Sequence, residues 1–86
     1  MPEISRFYGI VIRMYHNEHN PPHFHARYGG SKAAVGIRDL RLIEGQLPPR
    51  ALGLVMEWAS LHQSELLEDW ELAGRKRPPK KIAPLG

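Results

Sequence analysis

Four of the chain's five histidines lie within ten residues, His16-Asn17-Glu18-His19-Asn20-Pro21-Pro22-His23-Phe24-His25, and no other stretch is so biased toward one chemistry. Imidazole, with an ordinary pKa of about 6.5, serves near neutral pH as base, acid, metal ligand or charge switch. One use is metal binding. His16, His19, His23 and His25 could offer three neutral nitrogens to a divalent cation such as zinc at roughly 2.0–2.1 Å, leaving the open position of a catalytic site. The spacing His-x2-His-x3-His-x-His is no established zinc signature, and Glu18 does not fall in the His-Glu-x-x-His order of metalloproteases. A second use is metal-free acid–base chemistry. His23 or His25 would act as base and Arg27 would neutralise a phosphate or oxyanion, which is most of what hydrolysis of an RNA phosphodiester requires. No Ser/His/Asp pattern, cysteine nucleophile or phosphate-cradling glycine loop accompanies them. A third use is recognition without reaction. Arg13 and Tyr15 join His23, His25 and Arg27 if their strands pair, and cations beside aromatic rings hold single-stranded nucleic acid through phosphate contacts and base stacking. A solvated polar sheet face would present the same residues.

These side chains must be placed by strands. Phe7 to Tyr15 is rich in aromatic and β-branched residues, and large, mostly apolar side chains occupy the even positions Tyr8, Ile10, Ile12 and Met14, the pattern of a strand with one buried face. Asn17 to Pro22 has loop composition, and Asn20 before Pro21 is pushed toward extended geometry. A second strand then starts near His23. Its alternation sends Phe24, Ala26 and Tyr28 to one face and His23, His25 and Arg27 to the other. Gly29-Gly30 signals a two-residue hairpin. Lys32 to Ile37 and Leu40 to Glu44 follow as two more strands, the last closed by Gly45. Pro48-Pro49 opens a helix, since proline suits the first helical turn, and the helix should run to Ala73 with Gly74 as a left-handed cap.

On that single helix Leu52, Val55, Met56, Ala59, Leu66, Leu67 and Trp70 form one stripe, while Leu54, Trp58 and Leu61 lie nearly opposite. One sheet needs only the first stripe. The second is therefore a candidate partner interface, for a small protein or another copy of this chain, unless the chain's own loops or tail cover Trp58. The expected fold is α+β: a small, mainly antiparallel four-stranded sheet in ββββα order, with one long C-terminal helix packed on its Ile10/Ile12/Met14 face.

Charge divides the chain at residue 74. The net charge is +3, but Arg75, Lys76, Arg77, Lys80 and Lys81 hold five of the twelve basic residues, leaving seven basic against nine acidic elsewhere. Residues 1–74 thus make one slightly acidic domain and residues 75–86 a basic, proline-rich tail. Non-specific attraction to polyanions should reside in that tail, and removing residues 75–81 should leave folding nearly untouched. Glu57, Glu65, Glu68, Asp69 and Glu71 disfavour the helix as a nucleic-acid reader. The acidic residues near the helix end oppose its dipole, with Arg75, Lys76 and Arg77 the nearest candidates to offset them. The absence of cysteine fits a reducing cytoplasm, and no run approaches the roughly 18 apolar residues of a membrane span.

The ββββα order, the run Pro21-Pro22-His23-Phe24-His25, the later Leu47-Pro48-Pro49-Arg50, and Glu57-Trp58-Ala59 followed by Glu65-Leu66 and Trp70 together resemble a small prokaryotic family, domain of unknown function 4160. The likeness runs from about Pro2 to Leu72 and leaves out the basic tail. It implies a compact α+β protein, often encoded beside another small protein in an arrangement like a toxin–antitoxin pair, and brings no established activity. The expected function is therefore that of a small intracellular interaction protein in such a two-protein module. The alternatives are a histidine-based or metal-dependent nuclease and a single-strand-binding module using Arg13, Tyr15, Arg27, Arg75, Lys76, Arg77, Lys80 and Lys81.

Overall fold

Among the described residues five strands, one more than expected, form the sheet. The computed structural model describes residues 2–16 and 19–86, so Asn17 and Glu18 of the histidine loop lie outside the described residues. The strands are β1 (Glu3–Phe7), β2 (Ile10–Arg13), β3 (His23–Tyr28), β4 (Ser31–Gly36) and β5 (Leu42–Gly45), paired antiparallel in sequence order. The Phe7–Tyr15 run divides because Tyr8 and Gly9 both take positive φ, +51° and +81°, and form a tight hairpin between the paired Phe7 and Ile10. That geometry is the two-residue turn that matches strand twist. Tyr8 is therefore an exposed turn residue and not part of a buried strand face. The fourth expected strand starts at Leu42 instead of Leu40, since residues 37–39 turn and Leu40 has positive φ.

Alternation sorts the two sheet faces as expected. Ile10, Ile12, Phe24, Ala26, Ala33 and Val35 are buried inward, with Met14 just beyond β2. Tyr28, at the end of the same alternation, stays 41% exposed. Gly45 is needed where β5 meets β4: at φ +77°, a Cβ there would lie 2.2 Å from the Lys32 carbonyl oxygen.

The long helix is two helices, α1 (Pro49–Leu61) and α2 (Gln63–Gly74). Pro48 and Pro49 start α1 as their chemistry suggests. His62 breaks the run at φ −129°, and the Gln63 side-chain amide donates to the Ile37 carbonyl at 2.8 Å, tying the start of α2 to the turn after β4. The break puts Glu65 in a first helical turn, where a negative charge is favourable. At the far end Gly74 is not the left-handed residue; Lys76 is, at φ +59°. The Arg77 and Lys76 N–H groups donate to the Leu72 and Ala73 carbonyls at 2.8 and 3.0 Å, closing the helix with a Schellman pattern.

The buried helix faces also differ from the stripe read from hydrophobicity. Ala51, Val55, Trp58 and Ala59 on α1, and Leu66, Asp69 and Ala73 on α2, are the buried positions. Leu52, Met56, Leu67 and Trp70 are only partly buried at its flank. Small alanines let the backbone approach the sheet, so the contact line turns toward Trp58 and away from the bulkier side chains.

Trp58 is completely buried between Phe7 and Phe24, with ring centroids at 5.4 and 5.8 Å. Its indole N–H donates to the Ala83 carbonyl at 2.8 Å. The tail is thus a structural strap and not an appendage. Ile82 is buried, its N–H donates to the Ile4 carbonyl at 2.8 Å, and the Lys80 N–H donates to the buried Asp69 carboxylate at 2.8 Å. Among the described residues no helix is long and apolar enough to cross a membrane.

Candidate functional site

The outer sheet face collects most of the predicted chemistry. Strand pairing sets Arg13 opposite His25 and Val11 opposite Arg27; on the other side Arg27 faces Lys32 and His25 faces Ala34, which in turn faces Glu44. These side chains share a face because directly opposed residues in antiparallel strands point the same way. The Tyr15 ring packs against His25 at a centroid distance of 4.3 Å. Beside this pair the small Ala34 and Gly45 leave a hollow of about 400 Å³, walled by Tyr15, His25, Lys32 and Glu44.

His23 and His25 project together, with ring centroids 5.1 Å apart, while Phe24 between them is fully buried. The His23 Nδ1 lies 2.8 Å from the Pro21 carbonyl, which fixes that nitrogen as the protonated donor. Trp70 of α2 approaches His23 at 5.2 Å and bounds the face at this end. Arg27 is exposed, and its Nε donates to the Gly29 carbonyl at 3.3 Å. The two imidazoles and Arg27, named for acid–base chemistry, therefore lie on one face.

The four-histidine metal set is not assembled. Among the described residues no three or more histidine, cysteine, aspartate or glutamate side chains are grouped to hold a metal ion. His16 instead turns toward α2, with Nδ1 3.4 Å from the Ala73 carbonyl, and His19 is exposed. Sequence proximity misleads here because neighbours in a loop need not point together: His16 turns to α2, whereas His23 and His25 share a face of β3.

Electrostatics narrows the cationic set. Arg6 lies on the same face but is held by Glu3 through two hydrogen bonds of 2.8 and 3.1 Å, and the Arg6 contact draws the Glu3 carboxyl below the usual carboxylate range. Among the described residues Arg13, Arg27 and Lys32 have no ion-pair partner, so theirs is the positive charge left available. Lys32 was missed in the sequence, where only the cross-strand pairing with Arg27 could have marked it. The tail cations Arg75, Lys76, Arg77, Lys80 and Lys81 are all exposed but are not gathered into this hollow. Lys80 approaches Glu68 at 3.3 Å, a pairing with the α2 acids that Arg75, Lys76 and Arg77 were expected to make.

The predicted interface is taken apart by the fold. Trp58 is unavailable, Leu54 is partly buried against the core, and Leu61 stands exposed at the α1 end. No shared Leu54/Trp58/Leu61 surface exists.

A model of the family described as Domain of unknown function (DUF4160) matches residues 9–71, well over half of the chain. The chain belongs to this family. It matches no curated protein and no solved structure. The DUF4160 match takes in β2 to β5, α1 and most of α2, hence every member of the outer-face cluster. β1 and the strap that bonds to it lie outside.

Proposed function

We propose that the outer sheet face binds single-stranded nucleic acid. The observation that carries this is the placement of Arg13, Arg27 and Lys32, none ion-paired among the described residues, around the Tyr15–His25 ring pair and its hollow. The cations neutralise successive phosphates, and a splayed base enters the hollow against Tyr15 and His25. A duplex offers its phosphates but no free base, so single strands should be preferred. The test is fluorescence anisotropy with labelled oligo-U, oligo-dT and a duplex of equal length, across a salt series. Replacing Arg13, Arg27 and Lys32 together by alanine should abolish the preference for single strands. Gel analysis of the bound oligo-U also asks whether His23 and His25 cleave it, the outcome expected of a nuclease.

A second reading, a small protein that works by pairing with another protein as in a toxin–antitoxin-like module, draws on β5. All four residues of this edge strand are exposed, with Leu42 and Ile43 at 41% and 47%. An open edge offers unpaired backbone groups to a partner strand. Co-purification with an affinity-tagged chain, lost on Ile43→Pro, would support that partner.

A further inference from the structure

A second hollow, which shares no lining residue with the outer-face hollow, lies at the Tyr8–Gly9 turn. It measures about 390 Å³ and is formed by the Tyr8–Gly9 turn, Tyr28 at the end of β3, the first turns of α1 and the strap end. Its volume falls within the range of small-molecule sites. Arg50, Leu54 and Glu57 line it from α1. At spacings of four and three residues they share one helix face, with the Cα atoms of Arg50 and Glu57 about 10 Å apart along the axis and an apolar residue between them. Tyr8, Tyr28 and Ile10 line it from the sheet side.

Tyr8 is the unexpected residue. A left-handed conformation is costly for a non-glycine residue, and asparagine or glycine is the ordinary choice for this turn. Tyr8 adopts it at φ +51° while remaining 60% exposed, so burial returns little of that cost. Its hydroxyl donates to the Gly86 carbonyl at 2.9 Å, which holds the ring at the hollow. Strain kept at an exposed aromatic residue beside a cavity points to use of the ring. Arg50 makes no hydrogen bond or ion pair among the described residues.

We infer that this hollow binds a small planar aromatic anion, with its acidic group at Arg50, its ring against Tyr8 and Tyr28, and an N–H of the ring or of its exocyclic amine turned toward Glu57. Charge complementarity sets the orientation: the guanidinium recognises a carboxylate or phosphate, while Glu57 at the other end repels an anion and accepts a hydrogen bond. An aromatic carboxylate and a purine monophosphate share this chemistry.

The test titrates the isotope-labelled full chain with indole-3-acetate and with adenosine 5′-monophosphate, each against its uncharged counterpart, indole-3-acetamide and adenosine, and follows amide shifts. At least one anion should shift Tyr8, Tyr28, Arg50 and Leu54 saturably and bind at least tenfold tighter than its counterpart; the tighter anion identifies the source. Arg50→Gln should erase that tenfold advantage. Tyr8→Asn, which suits the turn, should weaken binding about tenfold while leaving the melting temperature unchanged or higher. Arg13→Ala should leave binding intact, which separates this site from the outer face. The inference is overturned if neither anion shifts these residues, if charged and uncharged ligands bind alike, if shifts are confined to the Arg13/Arg27 face, or if Tyr8→Asn lowers melting without affecting binding.

Discussion

The inner and outer faces of the sheet are made by alternate residues of the same strands, yet they answer to different constraints. On β3, Phe24 and Ala26 are buried beneath two helices and a strap, while His23, His25 and Arg27 turn outward. The inner face is packed around three rings: Phe7, Phe24 and Trp58 stack over its centre, and the indole N–H has a partner. The outer face does the reverse. It keeps a hollow between aromatic and cationic side chains and leaves three cations without ion pairs among the described residues. Stability is concentrated on one side of a single layer, so the other can carry recognition at little cost to the fold.

Adjacent residues test that division most severely. Phe24→Ala should destabilise the protein by about 3–5 kcal/mol in denaturant unfolding, whereas His25→Ala should change stability by less than about 0.5 kcal/mol and weaken oligo-U binding. Equal losses of stability would break the comparison. The strap extends the inner face to residues far outside the helices. Ile82→Ala should cost about 2 kcal/mol and shift tryptophan emission to the red as the Trp58 cover loosens, while Lys81→Ala should do neither.

On the outer face, each of Arg13→Ala, Arg27→Ala and Lys32→Ala should reduce the slope of log affinity against log salt by roughly 0.7, the value for one phosphate contact on a single strand. Unchanged slopes would move the polyanion site to the tail. At the helix end, Lys76→Gly removes a left-handed side chain and should stabilise by about 1 kcal/mol in thermal melts.

The subtlest test is a pH dependence on the inner face. Burial raises the Asp69 carboxyl above its ordinary value of 3.8; the Lys80 N–H opposes this, while Glu68 and Glu65 add to it. A raised folded-state pKa means that the Asp69 contribution is fully present below 3.8 and is lost as pH rises through the folded value. Asp69→Asn should therefore gain stability relative to the parent as pH rises from that point toward neutrality. Parallel melting curves for the two proteins at every pH would show that Asp69 carries no such linkage.

Much of this layer was legible locally. Alternation placed Phe24 inward and His23, His25 and Arg27 outward, and the Pro48–Pro49 pair marked a helix start. The Tyr8–Gly9 turn escaped because tyrosine rarely takes positive φ, so β1 and β2 read as one strand. The helix break escaped because no proline or glycine marks His62; it is stabilised by Gln63 bonding to the Ile37 carbonyl, a partner 26 residues away. Asp69 looked like part of a solvated acidic face, since nothing nearby announces that the Lys80 N–H will meet it.

What the sequence determined by itself was each feature with a short period: which side of a strand a residue faces, where a helix begins, and which chemistries the histidines could serve. Tertiary structure alone decided that Trp58 is sealed by Ala83, that the tail is a strap, that His16 turns to α2 while His23 and His25 stay together, and that Lys32 joins Arg13 and Arg27. These depend on contacts between residues distant in the chain. Backbone geometry repeats every two residues in a strand and about every 3.6 in a helix, but the pairing of distant segments has no period and emerges only when the whole core closes.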